Sequence, residues 1–225
     1  MTNKNFELDY QKEIAKIHYY SQDATSDFNA VIETSKRLIE NGFDDSQLNF
    51  YVGRAYQELN QNKLAIEFYK KSISANDPHS NWTKELSSNN LGNLYFNIDL
   101  YDDCIDICKY NINYAKNDLY KANALYLTAH SHYLKTFELT EISPDYPFEL
   151  CEGLEKTEVN ILKALELQPE NIDYIVLAGV MYKRGIKANY SFKCLSGDCN
   201  VKARYYLTKA ANLGDYQAKE LLNQL

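Results

Sequence analysis

The sequence predicts an all-α fold built from stacked helix pairs. Three observations carry that expectation. Apolar residues recur at helical spacing in paired runs joined by short turns. The 225 residues include only 8 Gly and 4 Pro, too few for a turn-rich β fold or a disordered chain. The stretch Ser46–Pro78, SQLNFYVGRAYQELNQNKLAIEFYKKSISANDP, reads as one complete helix–turn–helix unit. In it Val52, Tyr56 and Leu59 fall on one face of a first helix, and Leu64, Ile66, Tyr69 and Ile73 on a second. Gly53 and Ala65 are small enough to let the two helix backbones approach. Asn60, Gln61 and Asn62 supply the turn. One hairpin cannot bury its own apolar faces, so it needs neighbours on both sides.

The spacing within that unit, Val52-Gly53-x-x-Tyr56 followed by Ala65, Tyr69 and Pro78, resembles the tetratricopeptide (TPR) pattern of 34 residues. Similar units precede and follow it. The first runs from about Leu8 to Gly42. Ile14, Ile17 and Tyr20 line its first helix, and 23–27 make the turn. Phe28, Val31, Ile32, Ser35, Leu38 and Ile39 mark its second helix, and Asn41-Gly42 is the C-cap. His18 stands where the pattern has Gly. A link, His79–Lys84, holds the single Trp, Trp82. The third unit, about 85–118, has Leu91-Gly92-x-x-Tyr95, with Cys104 and Cys108 in place of the Ala and the aromatic. The fourth, 121–171, opens with a helix from about Lys121 to Lys135 and closes on ILKALELQPEN, Ile161–Asn171. It is interrupted at 136–150 by an insertion whose Pro144 and Pro147 argue for an irregular segment. The fifth, 172–214, carries Gly179, Tyr182, Gly185, Asp198, Lys202, Ala203, Lys209, Ala210, Ala211, Gly214 and Ala218, which resemble a Sel-like repeat, a TPR relative with a longer inter-helix loop. That loop is expected over 186–199, and 215–225 reads as a capping helix. The resemblance implies one solenoid domain over 1–225, a right-handed α/α superhelix of about five helix pairs plus the cap.

Composition limits the function. Apolar residues make up 45% of the chain, and Tyr occurs 20 times, a residue suited to half-buried helix faces and binding surfaces. The net charge of −7 gives a phosphate backbone no general attraction, so nucleic acid is not an expected partner. Charge is also uneven. Residues 1–135 carry 14 basic and 18 acidic groups, 136–173 carry 2 and 10, and 174–225 carry 8 and 3. Three solvated surfaces explain this plainly; an acidic patch beside a basic end that orients a polar partner explains it more specifically. The first residues, MTNKNFELDYQKEIAKI, alternate charge and contain no long apolar run, so neither an export signal nor a membrane span is expected there. A cytoplasmic setting follows as the expectation, with the 5 cysteines as thiols.

Helix phase, counted from the small residue of each first helix, selects the positions expected to line a concave groove. They are Lys12, Tyr19, Phe50, Arg54, Gln57, Asn89, Asn93, Phe96, Asn97, Tyr126, His130, Tyr133 and Lys183. The TPR resemblance implies that such a groove binds an extended peptide or a partner helix. Amides can satisfy peptide N–H and C=O groups while aromatics supply apolar contact at low entropy cost. Ordinary helix surface is the plainer reading of the same positions. Some TPR co-chaperones clamp a carboxylate with Lys and Asn at set positions, and only scattered matches such as Arg54 and Asn93 exist here.

Other constellations point to structure rather than chemistry. His130 and His132 lie two apart on a helix and diverge. Cys104 and Cys108 share a helix face with no further ligand at zinc spacing. Cys194 and Cys199 bracket a Ser-Gly-Asp turn and read either as two thiols or as a pair. Glu152, Glu155 and Glu158 recur at helical spacing as an exposed face. No nucleophile elbow, phosphate loop, dinucleotide fingerprint or zinc-protease motif is present. The expectation is therefore a non-enzymatic interaction scaffold for another protein or peptide, with no cofactor, metal, nucleic acid or membrane. The alternative is an immunity- or antitoxin-like inhibitor acting through its charged surface.

Overall fold

The computed structural model describes the backbone of residues 3–22, 26–142, 147–189 and 194–225, and the side chains of 10–22, 26–136, 150–186 and 194–225. Eleven helices and no strand occur among the described residues. The chain forms two compact units, Met1–Leu94 and Tyr95–Leu225. The first contains α1 (Asn3–Tyr20), α2 (Phe28–Glu40), α3 (Ser46–Glu58), α4 (Asn62–Ser74) and most of α5 (Ser80–Asn97). The second contains the end of α5, then α6 (Tyr101–Tyr114), α7 (Asp118–Ile142), α8 (Pro147–Leu167), α9 (Ile172–Asn189), α10 (Cys199–Asn212) and α11 (Tyr216–Leu222).

Within each unit a helix packs on the next one in sequence: α1 on α2, α2 on α3 and α3 on α4, then α6 on α7 and onward to α10 on α11. Contacts between alternate helices also form, α1 with α3 and α7 with α9. This is how hairpins too small to bury their own faces solve the problem. Aspartates start four of the helices by accepting an orphan backbone N–H. Asp27 accepts from Ala30 N at 3.0 Å, Asp45 from Leu48 N at 2.8 Å, Asp198 from Asn200 N at 2.9 Å and Asp215 from Ala218 N at 2.6 Å. The expected stop at Asn41-Gly42 is present, with Asn41 as C-cap and Gly42 at φ +90°.

The α3–α4 hairpin interlocks through Gly53. A Cβ on Gly53 would sit 2.8 Å from Tyr69 Cδ1, so the fully buried Tyr69 ring lies directly on the α3 backbone. The buried stripe of α4 is Ala65, Tyr69 and Ser72. The sequence reading of α4 needs correction here: Leu64 is exposed, and Ile66 and Ile73 are only half-buried. The small residues Ala65 and Ser72 face α3, because a close backbone approach leaves no room there for branched side chains. A polar tie secures the end of the hairpin. The Asp77 carboxylate accepts from Ser46 N at 2.7 Å, Ser46 Oγ at 2.8 Å and His79 N at 2.8 Å. In the second unit the α9–α10 pair repeats the device, since a Cβ on Gly179 would lie 2.8 Å from Leu207 Cγ.

Four further expectations are corrected. The segment 79–84 is not a link, because α5 begins at Ser80 and places Trp82 in its first turn. The 136–150 insertion is not a long irregular loop. It lengthens α7 to Ile142 and starts α8 at Pro147, the first helical position, where the missing proline N–H costs nothing. Pro144 lies outside the described residues. The loop expected from Ile186 is helical through Asn189, residues 190–193 lie outside the described residues, and Cys199 already belongs to α10. The cysteines are not all thiols. Cys151 is bonded to Cys194 across 43 residues with a Cα–Cα distance of 4.7 Å, while Cys104, Cys108 and Cys199 remain buried thiols. Cys194 therefore does not pair with Cys199. Its partner lies on α8, brought near by packing rather than by sequence.

Gly53→Leu is expected to force α3 and α4 apart and to cost about 1–3 kcal/mol by overpacking. Thermal unfolding checks this, with an expected fall of roughly 2–4 °C per kcal/mol for a chain of this size; an unchanged melting temperature would contradict the interlock.

Candidate functional site

The first unit contains a cleft of about 530 Å³ between the first helices of successive hairpins. One wall is the α3 stripe Phe50, Arg54, Gln57 and Glu58, with Tyr51 beside it. The other is the α5 stripe Trp82, Leu86 and Asn90, and His18 of α1 closes one side. Both stripes follow from helical periodicity, since residues four apart share a face. Phe50 forms the apolar floor and is itself buried. Its ring meets Trp82 edge-on at 5.9 Å, Tyr51 at 5.4 Å and Tyr69 at 6.4 Å. Trp82 remains 38% exposed, so one surface of the indole faces the opening.

The polar rim is ordered from beneath. Tyr69 Oη donates to Gln57 Oε1 at 2.8 Å and accepts from Asn90 Nδ2 at 3.3 Å. One buried hydroxyl therefore orients two amides on opposite walls. The bond engages the Gln57 carbonyl and leaves its NH2 as the donor. It engages the Asn90 NH2 and leaves its carbonyl as the acceptor, which Asn89 Nδ2 approaches at 3.4 Å. Burial pushes the Tyr69 phenol well above its ordinary range despite opposing help from Asn90 and Arg54, so the bridging proton stays in place at neutral pH. Burial likewise raises Tyr51, against a hydrogen bond with Gln47 and the Arg54 charge. Tyr51 Oη and His18 Nδ1 are hydrogen-bonded at 3.2 Å.

In the second unit, first-helix positions form an aromatic run. His130 lies 4.8 Å from Phe96 and 5.4 Å from Tyr126, and Tyr126 stacks on Tyr174 at 4.8 Å. Tyr126 Oη and His130 Nδ1 are hydrogen-bonded at 3.1 Å. Burial lowers His130, with Asp173 opposing, so the imidazole is neutral at pH 7. Burial, with Asp173 and Tyr174, pushes Tyr126 up to about 12. The Arg184 guanidinium lies over Tyr133 at 5.6 Å.

Of the positions expected in a groove, Phe50, Arg54 and Gln57 come together in the cleft, and Phe96, Tyr126 and His130 in the aromatic run. Tyr19 is exposed beside Tyr20, and Lys12 and Asn97 are exposed as well. Asn89 and Asn93 are half-buried on α5, and Asn93 Nδ2 donates to Asn89 O at 2.8 Å within that helix. Lys183 donates to Gln224 Oε1 at 2.5 Å. Sequence reasoning missed His18, Tyr51, Glu58, Trp82, Leu86 and Asn90. The signal for three of them was present, because Trp82, Leu86 and Asn90 are spaced i, i+4, i+8. A helix starting at 85 excludes Trp82, and a groove face drawn through Asn89 and Asn93 passes over Leu86 and Asn90.

Glu158 also departs from expectation. It is not part of an exposed acidic face; it is buried, whereas Glu152 and Glu155 are exposed. Its carboxylate accepts from Tyr182 Oη at 2.6 Å, from Ser196 N at 3.2 Å and from Ser196 Oγ, and Lys202 Nζ lies 3.4 Å away. Lys202 also donates to Ser196 Oγ at 2.7 Å and to Tyr182 Oη at 3.1 Å. This knot ties α8, α9, α10 and the segment 194–198 together. Burial pushes the carboxyl up, but the bonds from Ser196 and Tyr182 and the Lys202 charge outweigh it and hold Glu158 below the usual range. No group of three or more metal-ligating side chains occurs among the described residues.

No protein-family model matches the sequence, and no curated protein matches it. Solved structures do. MamA residues 41 to the end, from Desulfovibrio magneticus RS-1, superimposes with a TM-score of 0.63 at 19% identity, covering 89% of this chain and 94% of that one. Another MamA crystal structure gives 0.63 at 16% identity, covering 93% and 96%. The fold is a tetratricopeptide-like helical repeat. The all-α expectation from sequence thus holds. At these identities the likeness concerns architecture alone. Among the described residues no helix is long and apolar enough to cross a membrane.

The depressed Glu158 carboxyl makes a signed prediction. A group whose folded-state pKa lies below its usual value, 4.5 here, contributes stability that is present above that value and lost as pH falls through the folded one. Glu158→Gln is expected to lower the melting temperature at pH 7, where a hydrogen-bonded buried charge contributes about 1.5–3 kcal/mol. The gap from wild type should shrink as pH falls below 4.5 and through the lower folded-state value, where the wild-type carboxyl is protonated. A gap independent of pH would show that Glu158 acts by packing alone.

Proposed function

We propose that the chain is a non-enzymatic interaction scaffold that holds a peptide segment of a partner protein on the first-helix faces of its repeats. The observation that carries this reading is the Tyr69 bridge. It sets an amide donor, Gln57, and an amide acceptor, Asn90, across a cleft with an aromatic floor. An extended peptide offers the complementary set of one C=O, one N–H and a large side chain. The side chain would enter between Phe50 and Trp82, and the backbone would pair with the two amides. Arg54 and Glu58 at the mouth would select the neighbouring charge. The Phe96–His130–Tyr126 run in the second unit offers the same chemistry of aromatic faces with a neutral imidazole. A helical repeat fold agrees with a binding role. The partner is a protein, and a cytoplasmic setting fits the composition.

A second reading rests on Glu152 and Glu155, exposed on α8 within the strongly acidic 136–173 region. There the chain would act as an inhibitor that covers a basic enzyme. One experiment separates the two. Peptides are selected from a random library on the full-length chain and titrated calorimetrically, and the same titration is run with any protein recovered by affinity capture. The scaffold reading expects enriched peptides with one large apolar residue. Trp82→Ala or Asn90→Ala should weaken binding, with the aromatic truncation costing about 2 kcal/mol, roughly thirtyfold. Glu67→Ala, on the exposed face of α4, should leave binding unchanged. Normal binding by the cleft variants, with loss on Glu152→Lys and Glu155→Lys, would overturn the scaffold reading in favour of the inhibitor.

A further inference from the structure

We propose that the Cys151–Cys194 pair is a reversible redox latch that controls whether the segment 194–198 is held on α8. The bond joins α8 to the short segment entering α10, between residues 43 apart in sequence. That segment is the one that completes the Glu158 knot. Ser196 donates both its backbone N–H and its hydroxyl to Glu158, and Leu195 is buried beside it. The covalent link and the polar knot thus hold the same residues against the same helix. With the disulfide closed, Ser196 is tethered two residues from its anchor on α8, which keeps it near Glu158. With it open, the covalent tie to α8 is gone and the segment is retained by non-covalent contacts such as Leu195 and the Glu158 hydrogen bonds, so it opens locally more readily.

Access to the two sulfurs is unequal. Cys194 is 3% exposed, whereas Cys151 is half-buried. An external thiolate therefore reaches the Cys151 sulfur first. A dithiol reductant attacks Cys151 Sγ, the Cys151–Cys194 bond breaks, and its electron pair leaves on Cys194, which takes a proton. The second thiolate of the reductant attacks its own sulfur in the mixed disulfide. Cys151 is released as a thiolate and protonated, and the reductant departs as a disulfide. Two electrons and two protons enter the protein. Cys199 is buried and its thiol is pushed up by that burial. At neutral pH it is a poor internal attacker, so exchange depends on the external dithiol. The switched element is the 194–198 cap on Glu158, and through it the tie among α8, α9 and α10.

The test uses the full chain isolated without reductant. Alkylation and mass spectrometry should label Cys104, Cys108 and Cys199 in the unfolded oxidised protein, and all 5 cysteines after dithiothreitol. On reduction the Ser196 amide should lose its protection from hydrogen exchange and the melting temperature should fall. Oxidised glutathione should restore both. Cys151→Ser should behave as the reduced form whatever the buffer. If that variant fails to fold, wild type titrated across glutathione redox buffers decides the matter, because thiol count and Ser196 protection should change with one midpoint. Labelling of all 5 cysteines before reduction, or unchanged Ser196 exchange and melting after it, or separate midpoints, would overturn the latch.

Discussion

The Tyr69 ring lying on the backbone of Gly53 is the interaction on which the first unit depends. It sets the distance between α3 and α4, which no side chain larger than hydrogen at position 53 would permit. It also carries the hydroxyl to a place from which Gln57 and Asn90 are both reached. A packing residue thereby becomes the organiser of a polar rim. The cost of burying a phenol is offset because its oxygen both donates and accepts. The two rim amides are thereby held in one orientation across the cleft.

The second unit applies the same economy with a charge. Glu158 is buried on α8, where an isolated carboxylate would be unfavourable. Two hydroxyls, a backbone N–H and the Lys202 ammonium converge on it from α9, α10 and the segment between them. Tyr182 supplies both a wall and a hydrogen bond. Lys202 lies over its ring at 4.7 Å, so the cation is also partly shielded. Removing one partner would leave the others unsatisfied, which is why such a knot holds its elements in one arrangement. Hairpins supply the repeated architecture; these two polar centres determine how particular faces are presented.

The hairpin order was legible because it rests on local signals. The turn at Asn60–Asn62 and the stop at Asn41-Gly42 act within a few residues of their own position, and Gly53 and Ala65 sit at fixed spacing within one hairpin, so a sequence displays such signals directly. What was not legible depends on residues distant in sequence. Glu158 looked like the third member of an exposed acidic stripe, because its partners Tyr182, Ser196 and Lys202 lie 24 to 44 residues away. Cys199 is the near neighbour of Cys194 in sequence, whereas its bonded partner Cys151 lies on α8, 43 residues away. The prolines near 144–147 suggested irregular chain, yet Pro147 suits the first position of a helix. Trp82 and Asn90 were missed for a smaller reason. A helix start misplaced by five residues turned the beginning of the α5 cleft wall into a link.

The central claim is that Tyr69 does two separable things, filling the space above Gly53 and orienting the rim amides. Tyr69→Phe divides them, because it keeps the ring and deletes the hydroxyl. The decisive measurement is calorimetric titration of this variant with a library-selected peptide, beside its thermal unfolding. A melting temperature within a few degrees of wild type is expected, since a single buried hydrogen bond contributes about 1 kcal/mol, together with clear loss of peptide affinity as Gln57 and Asn90 lose their orientation. Wild-type affinity in Tyr69→Phe would contradict the claim and reduce Tyr69 to a packing residue.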